Sequence, residues 1–457
     1  MSEQFDLIVL GSGSGARDGA NKAAKEHDAR VALIESTRWG GSCPNVACKP
    51  TKAYLVAAEL AHDIQTLAER LGIEVGPART NLAKVKARKD SLIVSSETWM
   101  ERLHGTGHAT FDGTGTFVDP QTIQVNGTQL KAERVLVATG SRTAVPPIEG
   151  LDETGWLDHI SALELTELPQ SMLVVGGGPV GLELAQIFSR FGSKVTIVQS
   201  ADRLSPRSDA DATEQLTAAL RDEGIEVRTG TTVERVRRED SGIVATVGGD
   251  ELQVEQILLA SGRAPNVEGL ELDRAGIEHR RGGIVVDDRL RTSADGVWAA
   301  GDVVHGHQFT PVAQYEARVA VDDMFGSNGA RTDYDWLPTA IFTDPELAAV
   351  GLTEQQARDD GIDVEIAIHA IKYVQRASYT NTKHGLYKLV WERDSRRVLG
   401  LHVVTRNASD VVQGLALALK LGATVDDLAR MHHAFPTWGE GVKAAAEQAH
   451  ERSITVL

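Results

Sequence analysis

Twice in this chain a short apolar run ends on a cluster of glycines and passes directly into a helix-forming stretch, and a second apolar run follows each time. In the first copy, residues 6–10 lead into Gly11-Ser12-Gly13-Ser14-Gly15-Ala16, a helical stretch continues to about residue 26, and residues 30–34 form a strand ending at Glu35. In the second, residues 172–175 lead into Gly176-Gly177-Gly178-Pro179-Val180-Gly181, residues 182–191 are helical, and residues 194–198 form the strand before Gln199. Each copy reads as a βαβ unit. The first glycines stand 176 − 11 = 165 residues apart, so the copies belong to two domains. Each copy also acquires a later apolar strand closed by the same kind of turn: residues 134–138 by Thr139-Gly140-Ser141, and residues 256–259 by Ala260-Ser261-Gly262.

Glycines between a strand and a helix let the backbone approach a pyrophosphate, which then sits at the helix N-terminus. Gly11, Gly13, Ser14 and Ala16 are therefore candidates for one dinucleotide, and Gly176, Gly178 and Gly181 for another. Glu35 lies 35 − 11 = 24 positions past the first glycine, where a carboxylate takes ribose hydroxyls. The second copy has Gln199 there, with Arg203 and Arg207 just beyond. A carboxylate would repel a 2′-phosphate and arginines attract one, so NADP(H) is expected over NAD(H).

Elsewhere the pattern predicts helices over residues 51–68 and 81–103, the latter long and charged, and a small β meander from runs 108–111, 116–118 and 122–125. Strands at 386–391 and 398–403 lie between helices in a C-terminal part that has no nucleotide turn and reads as α+β. At 457 residues, and about 150 per domain, roughly three domains are expected. Lys and Arg total 47 against 64 Asp and Glu, a net charge of −17, which disfavours a nucleic-acid partner. No apolar run reaches the ~18 residues of a membrane span. The opening MSEQFDLIVLGSGSG begins a strand and a glycine turn at once, unlike a leader, so a cytoplasmic protein is expected.

Only two cysteines occur, Cys43 and Cys48. In a reducing compartment such a close pair is more often redox or metal chemistry than a structural staple. Bridging positions five apart requires a distorted turn, because a regular helix points them to different sides. Pro44 and Pro50 fit that distortion, and a helix N-terminus lowers a thiol pKa. A zinc site needs four ligands, and there is no second cysteine pair, so no metal site is assigned.

The segment GGSCPNVACKPTK resembles the redox motif of the pyridine nucleotide–disulfide oxidoreductases, the flavoprotein family of dihydrolipoamide dehydrogenase, glutathione reductase and mercuric reductase. The resemblance covers essentially the whole chain: Ala138-Thr139-Gly140-Ser141, Ala260-Ser261-Gly262-Arg263, VWAAGD ending at Asp302, Thr310-Pro311-Val312-Ala313, FTDPE and Ala349-Val350-Gly351 all have counterparts in that family. It implies an α/β fold with two Rossmann-like nucleotide-binding domains and a C-terminal α+β dimerisation domain. The expected limits are 1–148 for the first part of the FAD domain, 149–268 for the NAD(P) domain, 269–335 for the second, central part of the FAD domain, and 336–457 for dimerisation. FAD, NADPH (with NADH possible as the alternative) and a homodimer are implied as well. Gly41, Ser42, Lys52, Ala109, Thr139, Gly140, Ser141, Asp302 and Ala313 join the FAD candidates, Asp302 toward the ribityl chain, and Gly262 joins the cofactor-binding set. By position in the motif, Cys48 would be the flavin-facing thiolate and Cys43 the thiol that meets the acceptor. Lys52 and Glu183 match an ion pair near the flavin.

One departure bears on the reaction. Disulfide reductases of the family end in H-x-H-P-T-x-x-E, with the histidine before proline as acid/base and the glutamate orienting it. Here the segment is His432-His433-Ala434-Phe435-Pro436-Thr437-Trp438-Gly439-Glu440. Glu440 keeps its place, Phe435 cannot move a proton, and His433, two residues away, is the stand-in candidate. A non-histidine at this place, the CPNVAC core and the Glu440-Gly441-Val442-Lys443 run are most similar to the mercuric-reductase-like branch, although the C-terminal vicinal cysteines and N-terminal metal-binding domain of that enzyme are missing from this sequence. The reading is an NAD(P)H oxidoreductase passing electrons through Cys43 and Cys48 to a small disulfide, a thiophilic metal ion or another electrophile. The alternatives are a quinone or dye reductase acting directly from flavin, and a dihydrolipoamide dehydrogenase-like subunit of a larger complex.

Overall fold

The structure, a computed structural model, describes residues 2–454 apart from 77–78, 241 and 327–328; the chain ends that bound the first and last expected domains therefore lie outside the described residues. The chain forms two compact units. One comprises residues 1–50, 88–144 and 262–333, and the other residues 51–87, 145–261 and 334–457.

The first unit is built on a seven-stranded sheet. Its central strand, Ser2–Leu10, pairs in parallel with Val31–Glu35 on one side and Thr128–Val137 on the other. Leu7, Ile8, Val9 and Leu10 are all buried, as a strand covered on both faces must be. The helix Ser14–His27 makes the crossover and buries its small residues Ala16, Gly19, Ala20 and Ala23. Val297–Ala299 returns late in the chain to pair with Thr128–Val137.

The expected meander is only partly formed. Its first run, Ala109–Asp112, is a parallel edge strand on Val31–Glu35, with Ala109 opposite Ala32. Thr116–Asp119 and Thr122–Val125 alone continue by antiparallel pairing into Thr128–Val137. The expected helix 81–103 is also two helices, Leu82–Asp90 and Ser96–Gly105. Ser95 stands between them in an extended conformation, and its hydroxyl accepts from Thr98 N at 3.2 Å, so a local cap restarts the helix.

The second unit repeats the design in a four-stranded parallel sheet ordered Glu226–Thr229, Lys194–Gln199, Ser171–Val175, Gln256–Leu259. Its crossover helix, Pro179–Phe191, buries Leu182, Leu184, Ile187 and Phe188 completely. Beyond it lies a five-stranded antiparallel sheet from Thr339–Ile341 to Val364–Ala370, in which Leu386–Glu392 and Val398–Thr405 occupy the interior. The fold is thus α/β with two Rossmann-like sheets and an α+β C-terminal part. Among the described residues no helix is long and apolar enough to cross a membrane.

Candidate active site

The two glycine turns are superimposable in logic. Gly11 has φ +109°, and a Cβ there would lie 2.4 Å from Ala138 O; Gly176 has φ +115°, and its Cβ would lie 2.3 Å from Ala260 O. Both turns need glycine because the chain crosses the neighbouring strand end at backbone contact. Next in line, Ser12 N donates to Glu35 Oε2 at 3.0 Å, and Gly177 N donates to Gln199 Oε1 at 2.9 Å. Gln199 thus takes the structural place of Glu35 without its charge. Gly13 and Gly178 are the N-caps of their helices, with no side-chain cap and nothing within 4 Å of where a Cβ would be. Each helix N-terminus therefore faces open space with donors free of a side-chain cap, as a bound pyrophosphate requires.

Around the first turn the backbone is drawn in further. A Cβ on Gly15 would meet Ala313 O at 2.6 Å, and one on Gly41 (φ +74°) would meet Gly13 Cα at 2.4 Å. The three expected strand-end segments also converge. Ser141 Oγ donates to Asp302 Oδ2 at 2.7 Å, and Arg263 Nε donates to Ser141 Oγ at 2.7 Å while standing 3.5 Å from Asp302. Thr139 turns elsewhere: its hydroxyl donates to Asn266 O at 2.7 Å, and Asn266 Nδ2 returns a bond to Thr139 O. Gly140 and Gly262 have φ +72° and +133°, so both turns reverse direction at glycine. Sequence reasoning missed Glu316, a buried carboxylate that accepts from Gly301 N at 2.7 Å and so holds the backbone before Asp302. Its position inside a helix gave no signal.

The cysteines sit on a broken helix. Ser42–Asn45 is one short turn, Val46 leaves the helical region, and a new helix runs Cys48–Thr66. That break is the expected distortion, although Pro50 lies in the first turn of the new helix, where proline is tolerated, and not at the break. Asn45 is buried, and its Nδ2 donates to Trp39 O at 2.9 Å and Gly41 O at 2.8 Å, tying the ends of the turn together. Cys48 is exposed, Cys43 half-buried, and both are thiols. Cys48 Sγ lies 3.6 Å from Thr310 Oγ1, a contact that sequence reasoning did not assign to that hydroxyl. The expected lowering of thiol pKa fails for Cys43: a hydrogen bond to Cys48, burial and the charge of Cys48 push it up, against smaller opposing effects of Thr310 and Arg17.

In the second unit, Lys52 Nζ lies 2.7 Å from Glu183 Oε2 and 4.4 Å from the Phe342 ring, while Glu183 Oε1 accepts from Phe342 N at 3.1 Å. Arg203 does not stand free beside Gln199: its Nη2 donates to Pro206 O at 2.7 Å and Ser208 O at 3.3 Å. Arg207 is exposed. In the C-terminal segment Phe435 is 72% exposed. Glu440 Oε1 accepts from Gln375 N at 2.5 Å, at the start of the helix Gln375–Thr380. His433 Nε2 is buried without a hydrogen-bond partner. Burial, then Lys443, hold its imidazole below the ordinary range against the pull of Glu440 and Glu447. A cleft of about 400 Å3 in the second unit is lined by His62, Arg190, Glu223, Asp344 and Arg406.

Residues 5–317 match the family described as pyridine nucleotide-disulphide oxidoreductase, and residues 337–446 match its dimerisation domain. Mercuric reductase of Lysinibacillus sphaericus is 36% identical over 451 residues, spanning 97% of this chain and 82% of that protein. Dihydrolipoyl dehydrogenase of Thermus scotoductus is 37% identical over 464 residues, covering 99% of both. Among solved structures, the Cu(II) complex of the HOCl-induced flavoprotein disulfide reductase RclA from Escherichia coli has a TM-score of 0.87 at 28% identity, covering 98% of this chain and 99% of that one. A Cβ at Gly11 or Gly41 would strike backbone while the helix N-terminus at Gly13 stands open between them, a cradle that fits the FAD of this family. With both nucleotide turns formed, a near thiol pair and a matched dimerisation domain, the chain belongs to the pyridine nucleotide-disulphide oxidoreductases, FAD-dependent enzymes that use a pyridine nucleotide.

Proposed function

We propose that this enzyme takes reducing equivalents from NADPH and delivers them, through Cys43 and Cys48, to a thiophilic metal ion, acting as a cytoplasmic homodimer. The proposed domains are an FAD domain at 1–148 and 269–335, an NAD(P) domain at 149–268 and a dimerisation domain at 336–457. Gly11, Gly13, Ser14, Ala16, Gly41, Ser42, Ala109, Thr139, Gly140, Ser141, Asp302 and Ala313 hold FAD, Glu35 at a ribose. Gly176, Gly178, Gly181, Gln199 and Arg203 hold the nicotinamide nucleotide, and Gly262 is a further cofactor-binding position. Bound FAD supplies the electron pair, drawn from the pyridine nucleotide, that the acceptor receives.

The observation that carries the choice of acceptor is the engagement of Glu440. Its carboxylate holds the Gln375 N–H at 2.5 Å, and the neighbouring acid/base position is the exposed Phe435. General acid–base help is worth about 10²–10⁴-fold, and a metal ion does without it because no leaving group needs a proton. In the thiol pair a hydrogen bond to Cys48, ahead of burial, pushes the Cys43 thiol pKa up. An ion arriving with two anionic ligands exchanges them for the two sulfurs: two metal–sulfur bonds form, two metal–ligand bonds break, and the thiol protons pass to water. Lys52, four residues after Cys48 in the helix Cys48–Thr66, lies 2.7 Å from Glu183. The names of two relatives, mercuric reductase and a Cu(II) complex of RclA, support the same acceptor class.

A second reading, reduction of a small disulfide, is favoured by His433, whose buried Nε2 has no hydrogen-bond partner and which burial keeps neutral near pH 7. Anaerobic reduction with one equivalent of NADPH, followed by Hg(II), Cu(II) or glutathione disulfide, separates the two. Fast reoxidation by the ions and slow reoxidation by the disulfide is expected; the reverse order overturns the proposal. The Cys43→Ser/Cys48→Ser double variant should lose metal-ion turnover. Full retention would instead mark a reductase working directly from flavin.

A further inference from the structure

The turn that carries Cys43 is held by a side chain the family motif does not include. Gly40 N donates to Ser12 Oγ at 2.9 Å, and Ser12 Oγ in turn donates to Glu35 Oε2 at 2.7 Å. The Gly40 carbonyl accepts from Arg17 Nη1, which also donates to Ser12 O at 2.8 Å. Arg17 sits in the first turn of the helix Ser14–His27, and its guanidinium carbon stands over the Trp99 ring, 4.3 Å from the centroid. Arg102 stacks on the same ring at 5.0 Å. Trp99 packs against Gly40 so closely that a Cβ at Gly40 (φ +97°) would lie 2.5 Å from Trp99 Nε1. Glu35, Ser12, Gly40, Arg17 and Trp99 thus form one connected chain, from the ribose-binding carboxylate of the first nucleotide turn to the residue three before Cys43.

From this geometry we infer that Arg17 is a positioning residue for the redox pair: it clamps the Gly40 carbonyl, fixes the turn that presents Cys43, and keeps a permanent positive charge beside that thiol. The charge acts in the direction of the thiolate, since a nearby guanidinium favours the ionised sulfur. The attraction between the two groups is mutual. Arg17 opposes the rise of the Cys43 thiol pKa, and burial depresses the guanidinium of Arg17 while Cys43 is the foremost group pulling it back. Arginine suits the task because one planar group can hold two carbonyls through a single Nη1 and stack on an indole at once. The inference rests on the proposed role of Cys43 as the thiol that meets the acceptor.

The test uses FAD-loaded full-length protein in a Cys48→Ser background, where Cys43 is the only cysteine, and reads the pH profile of alkylation by iodoacetamide. Arg17→Met should slow labelling at pH 8 by about threefold and move the profile to higher pH. Arg17→Lys, which restores the charge without the planar stacking group, should recover most of that loss. Arg102→Met, which removes the second cation on Trp99 and leaves the bond from Arg17 to the Gly40 carbonyl in place, should not move the profile to higher pH. Melting temperature and flavin content of each variant separate this from a folding defect. An Arg17→Met profile identical to the parent overturns the inference, as does a loss that Arg17→Lys does not relieve. Peptide mapping of the reduced protein with both cysteines is the separate check on the underlying reading: labelling at Cys48 in preference to Cys43 would sink the assignment of roles and leave the Arg17 result standing alone.

Discussion

Glu440 accepts a hydrogen bond from the backbone N–H of Gln375 at 2.5 Å, so the carboxylate that would orient an acid/base histidine caps a neighbouring helix instead. Nothing at Phe435 asks for it, and the loop uses it structurally. The reaction proposed above follows from that redeployment.

Restoring the proton donor is the direct check. Phe435→His should raise kcat/KM for glutathione disulfide by about tenfold, the low end of the range for general acid catalysis because Glu440 is already engaged. Steady-state assays with NADPH would show this. No gain would mean that the pocket around residue 435 is shaped for a different acceptor.

Removing Cys48 should make Cys43 more reactive. The hydrogen bond to Cys48 is the largest cause of the raised Cys43 pKa, followed by burial and the charge of Cys48. In Cys48→Ser the charge disappears and the bond weakens, so the titration of Cys43 moves down toward the ordinary ~8.5 of a free thiol. The alkylation rate of Cys43 at pH 7.5, followed by mass spectrometry, should rise at least threefold over the reduced parent.

Nucleotide preference should follow the charge at residue 199. Gln199→Glu keeps an acceptor for Gly177 N but places a carboxylate where the second nucleotide's ribose is proposed to lie. The KM for NADPH should rise about tenfold while that for NADH changes little, since a carboxylate opposes a 2′-phosphate and accepts a 2′-hydroxyl. Equal changes for both nucleotides would detach this residue from the ribose.

The charge network of the second unit should set acid stability. Burial alone would push the Asp344 carboxyl up, but Arg190 and Arg406 outweigh it and hold the group below the usual carboxylate range. A lowered folded-state pKa means that the unfolded chain binds the proton more readily. The contribution is therefore fully present above about pH 3.9 and is lost as pH falls through the folded value. Asp344→Asn should lower the melting point at pH 7 by roughly 6–12 °C, from ~3 kcal/mol for leaving Arg190 and Arg406 short of a partner. It should also flatten the fall in melting point between pH 5 and pH 2. An unchanged acid slope would locate the sensitivity in other carboxylates.

Much of the site could be read before any coordinates. Gly11 and Gly176 were legible because each answers a backbone demand, a positive φ and a contact with another main chain, that only glycine meets, and Gly41 was legible through the family resemblance. Cys43 and Cys48 were legible as the only sulfur pair, and Lys52 with Glu183 through a family resemblance that the 2.7 Å ion pair now makes concrete. The charged stretch 81–103 was misread because a single hydroxyl, that of Ser95, restarts the helix, a choice that helix-forming composition on both sides conceals. The run 108–111 was placed in a meander because alternation marks a strand without naming its neighbour, and Ala109 in fact pairs with Ala32.

Glycine spacing, hydrophobic period and the thiol pair are local constraints, so the order of residues alone determined the two nucleotide turns, the fold class and the kind of chemistry. Which polar side chains meet is decided by contacts between segments far apart in the chain. Only the tertiary structure could put Arg17 on the Gly40 carbonyl, Glu316 on Gly301 N and Glu440 on Gln375 N. A hydrogen bond needs heavy atoms within about 3 Å, and no pattern along the chain sets that distance between segments that pack from separate elements.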